Sequence, residues 1–201
     1  YRLTGGYLLK ETDTKFRAGY STGFRAPSMN ELFFPNFGNP NLGPEKNQSM
    51  DVGVDQYFFS KQLKFTGGFF WNRFRNLIIT TVDPGFFAPF STFGFFPQQL
   101  GEGSPKGWEA GLSYTYSSDR PFLKSLILQA QYTNTLTRDL DTHSRLPRWP
   151  TDQWSAMVSY QPIDPLWITV TGRYVGSRFN TTNDQQNLRA FDVWSLGVTY
   201  D

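Results

Sequence analysis

The chain has 201 residues, 38% of them hydrophobic and 18% aromatic, so much of its apolar surface is carried by rings. A net charge of +2 leaves no basic stripe for nucleic acid, and the absence of cysteine removes disulfides and thiolate metal sites. No apolar run approaches the roughly 18 residues of a membrane-spanning helix, so only a closed sheet, with every backbone polar group partnered, could enter a bilayer.

In chain order, alternating patterns bounded by turn-formers predict about nine strands, near 1–10, 15–24, 49–59, 63–80, 107–117, 125–137, 153–161, 166–176 and 190–200. Short connections at 11–14, 60–62, 118–124 and 162–165 alternate with long ones at 25–48, 81–106, 138–152 and 177–189. Such alternation places all short turns at one end of the sheet and all long loops at the other, as in outer-membrane barrels. The chain opens on Tyr1-Arg2-Leu3, already strand-like and without a signal peptide, so export implies processing upstream.

Three of these strands repeat one motif: Trp108-x-Ala110-x-Leu112-x-Tyr114-x-Tyr116, Trp154-x-Ala156-x-Val158-x-Tyr160 and Trp194-x-Leu196-x-Val198-x-Tyr200. Residues two apart share a face, so each strand has an apolar stripe with aromatics at both ends. That is the pattern of a strand crossing a bilayer, with rings at both water interfaces and the other face toward a polar lumen. Two girdles follow: Phe58, Tyr116, Phe122, Tyr160, Trp167 and Tyr200 beside the short turns, and Trp71, Phe74, Trp108, Tyr132, Trp154, Tyr174 and Trp194 toward the long loops. The opposite faces carry Arg17, Asp51, Asp55, Glu109, Gln129, Gln131 and Arg173. Charge at this density is costly in a dry sandwich core, whereas in a wide barrel it is hydrated or pairs with a plug.

The connection after the second strand reads Gly23-Phe24-Arg25-Ala26-Pro27-Ser28-x-Asn30-Glu31-Leu32-Phe33, then Gly38-Asn39-Pro40-Asn41-Leu42-Gly43-Pro44-Glu45-Lys46. Pro27, Pro40 and Pro44 fix φ and forbid ladder pairing, so the segment is expected to fold on itself. Asn39 and Asn41 suit turns, and Glu45 is placed to anchor Arg25 or a backbone donor at the rim. These two blocks resemble the barrel signature of TonB-dependent outer-membrane receptors. Asn72-Arg73-Phe74-Arg75-Asn76-Leu77-Ile78 and Gly103-Ser104-Pro105-Lys106-Gly107-Trp108-Glu109 are similar to later barrel segments of that family, with Trp108 where an aliphatic residue is more usual. Tyr174-x-Gly176-Ser177-Arg178 resembles a strand end of cobalamin and siderophore receptors.

The resemblance covers residues 1–201 and implies an all-β fold: part of an antiparallel transmembrane β-barrel, about nine strands of a 22-stranded plan, with the plug domain and final hairpin absent. It implies active uptake of a metal chelate, such as a ferric siderophore or cobalamin, across the outer membrane of a Gram-negative bacterium. The implied partners are outer-membrane lipid, the chelate, the rest of the barrel for closure, and the TonB energy-transducing complex through the missing plug. The signature residues themselves are read as architectural. A porin-like diffusive channel and a soluble all-β binding domain are the rivals.

Nothing in the sequence assembles an enzyme's chemistry, and no cofactor is expected. His143 is the only histidine; with Asp139 and Asp141 it is read as part of a solvated charged loop rather than a metal site. Asp51 and Asp55 share a strand face, which lumen polarity explains. The loop around 83–99 is unusual in interleaving Phe86, Phe87, Phe90, Phe93, Phe95 and Phe96 with Pro and Gly. It suits the grip of an apolar or aromatic ligand, or alternatively packing against loops or lipid.

Overall fold

The computed structural model describes residues 1–82, 95–140, 143–180 and 187–200. Its strands are β1 (Arg2–Leu9), β2 (Thr14–Arg25), β3 (Glu45–Phe58), β4 (Leu63–Val82), β5 (Phe95–Gly103), β6 (Lys106–Arg120), β7 (Leu123–Leu136), β8 (Asp152–Ile163), β9 (Leu166–Val175), β10 (Arg178–Phe179), β11 (Asn187–Leu188) and β12 (Phe191–Tyr200), with one helix, α1 (Met29–Phe33). The main sheet runs β1-β2-β3-β4-β6-β7-β8-β9-β12, and β5 pairs only with β4. Every pairing is antiparallel, so the sheet is an up-and-down meander consistent with part of a barrel wall.

Directly opposed residues in an antiparallel pair point to the same face, so the register extends the three Trp stripes across the whole sheet. Ala18 faces Val52, Val52 faces Phe69 and Phe69 faces Trp108; farther along, Leu112 faces Ala130, which faces Ala156. No second layer covers this apolar face among the described residues: Phe69 is 68% and Leu196 71% exposed. A soluble sandwich would bury such side chains against a second sheet. The opposite face is polar, and a hollow of about 750 Å³ lies against it, reaching from Lys64 on β4 past Gln129 and Ser155 to Ser195 on β12. One hollow shared by so many strands means that the sheet curves toward its polar side.

Toward the long loops, the rings form a belt on the apolar face. Trp108 and Tyr132 have centroids 4.9 Å apart, Trp154 and Tyr174 stack at 6.1 Å, and Trp154 meets Trp194 edge-on at 5.8 Å. Two expected girdle members fall outside the belts. Phe74 lies opposite Asn47, and Trp167 opposite Thr199, each on the polar side of the alternation. Both stand near the expected strand end, but one residue out of step with the ring-bearing stripe.

Three local expectations are corrected. Residues 95–103, expected in a long loop, form β5, which continues the line of β6 and pairs with the outer half of β4 from Phe74 to Val82. Pro97 hid this strand, but on a strand with a single ladder partner the missing N–H costs little. Strand β3 begins at Glu45 rather than near 49, because Arg25 already pairs with Glu45. Asp139 is not in a solvated loop: it is 2% exposed and bridges to Gly103 beside Leu146, itself only 1% exposed. Asp141 lies outside the described residues. The buried apolar residues, Leu42, Phe96, Leu146 and Val175, all sit at the long-loop end. Gly107 is fixed by close approach, since a Cβ there would come within 1.9 Å of the Asn134 carbonyl oxygen on β7.

Candidate functional site

The signature segment builds a clasp at the long-loop end. Beyond the aromatic belt β2 ends at Arg25; Ala26 and Pro27 then turn the chain into Ser28, which caps α1. The Ser28 hydroxyl accepts from the Glu31 N–H at 3.2 Å, and the Glu31 carboxylate accepts from the Ser28 N–H at 2.7 Å. This reciprocal box satisfies two helix-end donors; the Ser28-x-x-Glu31 spacing is the sequence signal for α1, which the reading of this segment as a connection without a helix misses.

The Arg25 guanidinium lies between two carboxylates. Its Nη1 donates to Glu31 at 3.1 Å, its Nε to Glu45 Oε2 at 2.7 Å and its Nη2 to Glu45 Oε1 at 3.0 Å. Glu45 Oε1 also accepts from the Ile78 N–H on β4 at 2.7 Å, so both anchors anticipated for Glu45 are made by one carboxylate. The bonds to Glu45, then those to Glu31, raise the Arg25 pKa above its usual value. At Glu31 burial pushes upward, but the bonds from Arg25 and Ser28 outweigh it and hold the carboxyl below the usual glutamate range.

The remaining signature residues stitch the loop to the β4–β5 hairpin. Asn39 Oδ1 accepts from the Asn41 N–H at 3.0 Å, while its Nδ2 donates to the Pro97 carbonyl at 3.1 Å. Asn39 N–H bonds the Glu31 carbonyl at 2.7 Å, and Phe34 N–H bonds the Asn30 carbonyl at 3.2 Å. Gly43 and Gln99 exchange two bonds, of 3.2 and 2.7 Å. Asn76 reaches the Pro44 carbonyl at 3.5 Å, and Leu42 is buried. Pro40 lies in the turn between Asn39 and Asn41, and Leu32 on α1. A Cβ at Gly38 would meet the Leu32 backbone at 2.7 Å, which requires glycine there. Gly23 and Phe24 belong to β2, with Phe24 exposed on the apolar side. Gln99 carries no sequence signal of its own; only the pairing of β5 with β4 brings it to Gly43, whereas Asn76 comes from the β4 stretch already likened to the family.

Replacing Arg25 with Ala is expected to cost on the order of 1–2 kcal/mol, discounted for its half-exposed side chain. The check is a lower denaturation midpoint together with faster proteolysis within 26–44. Because the Glu31 pKa is lowered in the folded state, its stabilisation is present above the ordinary glutamate range and is lost as pH falls through the depressed value. The stability difference between wild type and Glu31→Gln should therefore shrink toward zero on acidification; a difference that stays constant would exclude the linkage.

On the polar face, Asp55 lies between Arg17 at 3.8 Å and Lys64 at 3.6 Å, and Arg17 also reaches Glu109 at 3.3 Å. These wall charges thus pair with one another. Phe86, Phe87, Phe90 and Phe93 lie outside the described residues. Phe95 opens β5 opposite Val82, and Phe96 is buried opposite Thr81.

A family model described as "TonB dependent receptor-like, beta-barrel" matches residues 1–201. The chain belongs to this family. Within this family of β-barrels, the chain is 26% identical over 190 residues to the vitamin B12 transporter BtuB of Vibrio vulnificus (strain YJ016), covering 92% of the chain and 27% of that protein. The vitamin B12 transporter BtuB of Vibrio cholerae is 24% identical over 192 residues, again 92% of the chain and 28% of that protein. Among solved structures, the copper transporter OprC superposes with a TM-score of 0.76 at 18% identity, over 100% of this chain and 31% of that one. The ferric enterobactin receptor PfeA of Pseudomonas aeruginosa, in complex with enterobactin, superposes at 0.70 with 17% identity, over 99% and 32%. The chain therefore spans about a quarter to a third of the length of these relatives.

Proposed function

We propose that this chain is the late barrel wall of a Gram-negative outer-membrane receptor that takes up a metal chelate, of the ferric-siderophore or cobalamin class, with energy supplied through TonB. The match of the family model to residues 1–201 carries this reading. The two-faced sheet supports it, with aromatic belts on one side and a charged, curved wall on the other. In this reading a plug domain contributed by the rest of the polypeptide occupies the lumen, and flanking strands complete a 22-stranded barrel. The clasp around Arg25 holds the loop of 26–44 rigidly against β4–β5, an architectural role that leaves ligand contact to the outer loops.

The Phe-rich segment is proposed as a ligand-gripping region, since it interleaves phenylalanines with Pro and Gly on the long-loop side, and of its six only Phe95 and Phe96 belong to a described strand, the outer strand β5. In cells carrying the intact receptor, uptake of labelled ferric siderophores and cobalamin is measured with and without functional TonB. Accumulation of one ligand only with TonB is expected; entry independent of TonB would favour a porin-like channel. Replacing Phe87, Phe90 and Phe95 together with Ser should weaken ligand binding and leave heat stability nearly unchanged. Lost stability with intact binding would assign the loop to packing.

A further inference from the structure

We infer that the outer end of the hollow on the polar face, where β8, β9 and β12 meet, is a binding site for the negatively charged oxygens of an anionic metal chelate. Two arginines stand there without a carboxylate. Ser155 lies opposite Arg173 and Arg173 opposite Val193, so the three share the polar face and line the hollow together. Phe191, the next residue on that face of β12 toward the long loops, also lines the hollow and carries the Arg178 guanidinium over its ring at 5.5 Å. Among the described residues, no carboxylate comes within ion-pair distance of either arginine. Arg178 Nη1 is buried and has no hydrogen-bond partner. The adjoining carboxylates face the other way: Asp152 accepts from Tyr132 and Asn134, and Asp192 from the Trp194 indole, both on the side of the aromatic belt.

The contrast with the rest of this face sets the chemistry. Arg17 and Lys64 share Asp55, and Arg17 also reaches Glu109, so the wall there is neutralised within itself. At the outer end a buried guanidinium N–H lacks an acceptor, which is costly, and an anionic oxygen is the acceptor that meets it best. Phe191 and Val193 back the two arginines with apolar surface, which limits their hydration and strengthens a charge-assisted bond. Gln131 lies opposite Ser155, and Ser195 opposite Thr171, so amide and hydroxyl donors continue from the arginines into a space of about 750 Å³. The lining therefore offers two forked cations, then neutral donors, and no acid. A planar guanidinium matches the paired oxygens of a carboxylate or a catecholate, whereas a neutral, amide-rimmed ligand would leave both charges unanswered. Within the proposed chelate class, this favours an anionic ferric chelate over cobalamin.

The inference rests on the chelate-uptake reading and narrows it, so the two need separate tests. Intact receptor in detergent is titrated, by quenching of tryptophan fluorescence, with four probes: ferric enterobactin, an anionic tris-catecholate; ferric citrate, an anionic carboxylate chelate; ferrioxamine B, a cationic hydroxamate chelate; and cyanocobalamin, which has no net charge. One of the two anionic chelates is expected to bind most tightly. Arg173→Gln with Arg178→Gln should weaken that binding about ten-fold or more, and Arg173→Lys with Arg178→Lys should recover most of it. Both variants should keep the heat-resistant barrel, since neither arginine holds an ion pair in the wall. Failure of both anionic chelates to bind, or tighter binding of ferrioxamine B or cyanocobalamin, would overturn the site. Unchanged affinity in the glutamine variant would also overturn it, and if the barrel is then less heat-resistant the arginines belong to packing of the polypeptide. The uptake reading stands or falls apart from this, on whether entry of the bound ligand into cells requires TonB.

Discussion

Leu112→Arg is expected to lower the folded yield of the intact barrel sharply, whereas Gln129→Arg, at nearly the same depth, is expected to leave it close to wild type. The register places Leu112 opposite Phe65 and Ala130 on the apolar face, where it is 46% exposed, while Gln129 lines the hollow on the polar face. A charge on the lipid side near mid-membrane costs about 2–4 kcal/mol, and far less toward a wet lumen. That difference is comparable to a large share of the net stability of a typical domain. Refolding into lipid vesicles, scored by the fraction of heat-resistant barrel, measures it directly. Equal yields from the two variants would mean that the faces are assigned wrongly.

Residues 1–201 expressed alone are expected to aggregate or to recruit strands from other copies rather than form a closed monomer. Strand β1 pairs with β2 only, and β12 with β9 only, so each is an edge whose outward N–H and C=O groups find no ladder partner among the described residues. In hydrocarbon each unpartnered group costs several kcal/mol, and an edge of eight to ten residues presents several of them. Joining β1 to β12 would close a ring of nine strands, too narrow for a wall that already carries Arg17, Asp55, Lys64 and Glu109. The segment purified in detergent should therefore appear as polydisperse oligomers, and restoring the flanking polypeptide should recover a single species. A monodisperse closed monomer of the segment alone would show that the edge argument is wrong.

Most of the wall is legible in the sequence because a strand's period is 2 and its local pattern needs no knowledge of its neighbours. The stripes beginning at Trp108, Trp154 and Trp194 give strand identity, facing and depth at once, and the alternation of short and long connections gives the up-and-down order. The turn-forming Asn39 is equally local and stands in its turn, whereas the Ser28-x-x-Glu31 box, although local too, goes unread among the turn-formers around it, and α1 with it. Phe74 and Trp167 show the limit of this reading: nearness to a strand end is visible in sequence order, but the side of the sheet follows only from counting the pleat without a slip.

The sequence by itself determined the strand pattern, the two-faced wall and the membership that goes with the signature from Gly23 to Glu45, since these depend on contacts between residues close along the chain or on repeated alternation. Only the tertiary structure decided what brings distant residues together. It showed that β5 lies on the outer half of β4 despite Pro97, that Glu45 serves Arg25 and Ile78 together, that Asp139 is buried beside Gly103, and that Arg173 and the Phe191 ring under Arg178 line one hollow. The physical reason is register: which residues of two strands meet is set by ladder hydrogen bonds and loop lengths summed over the sheet, and composition and spacing within a single strand carry no record of it.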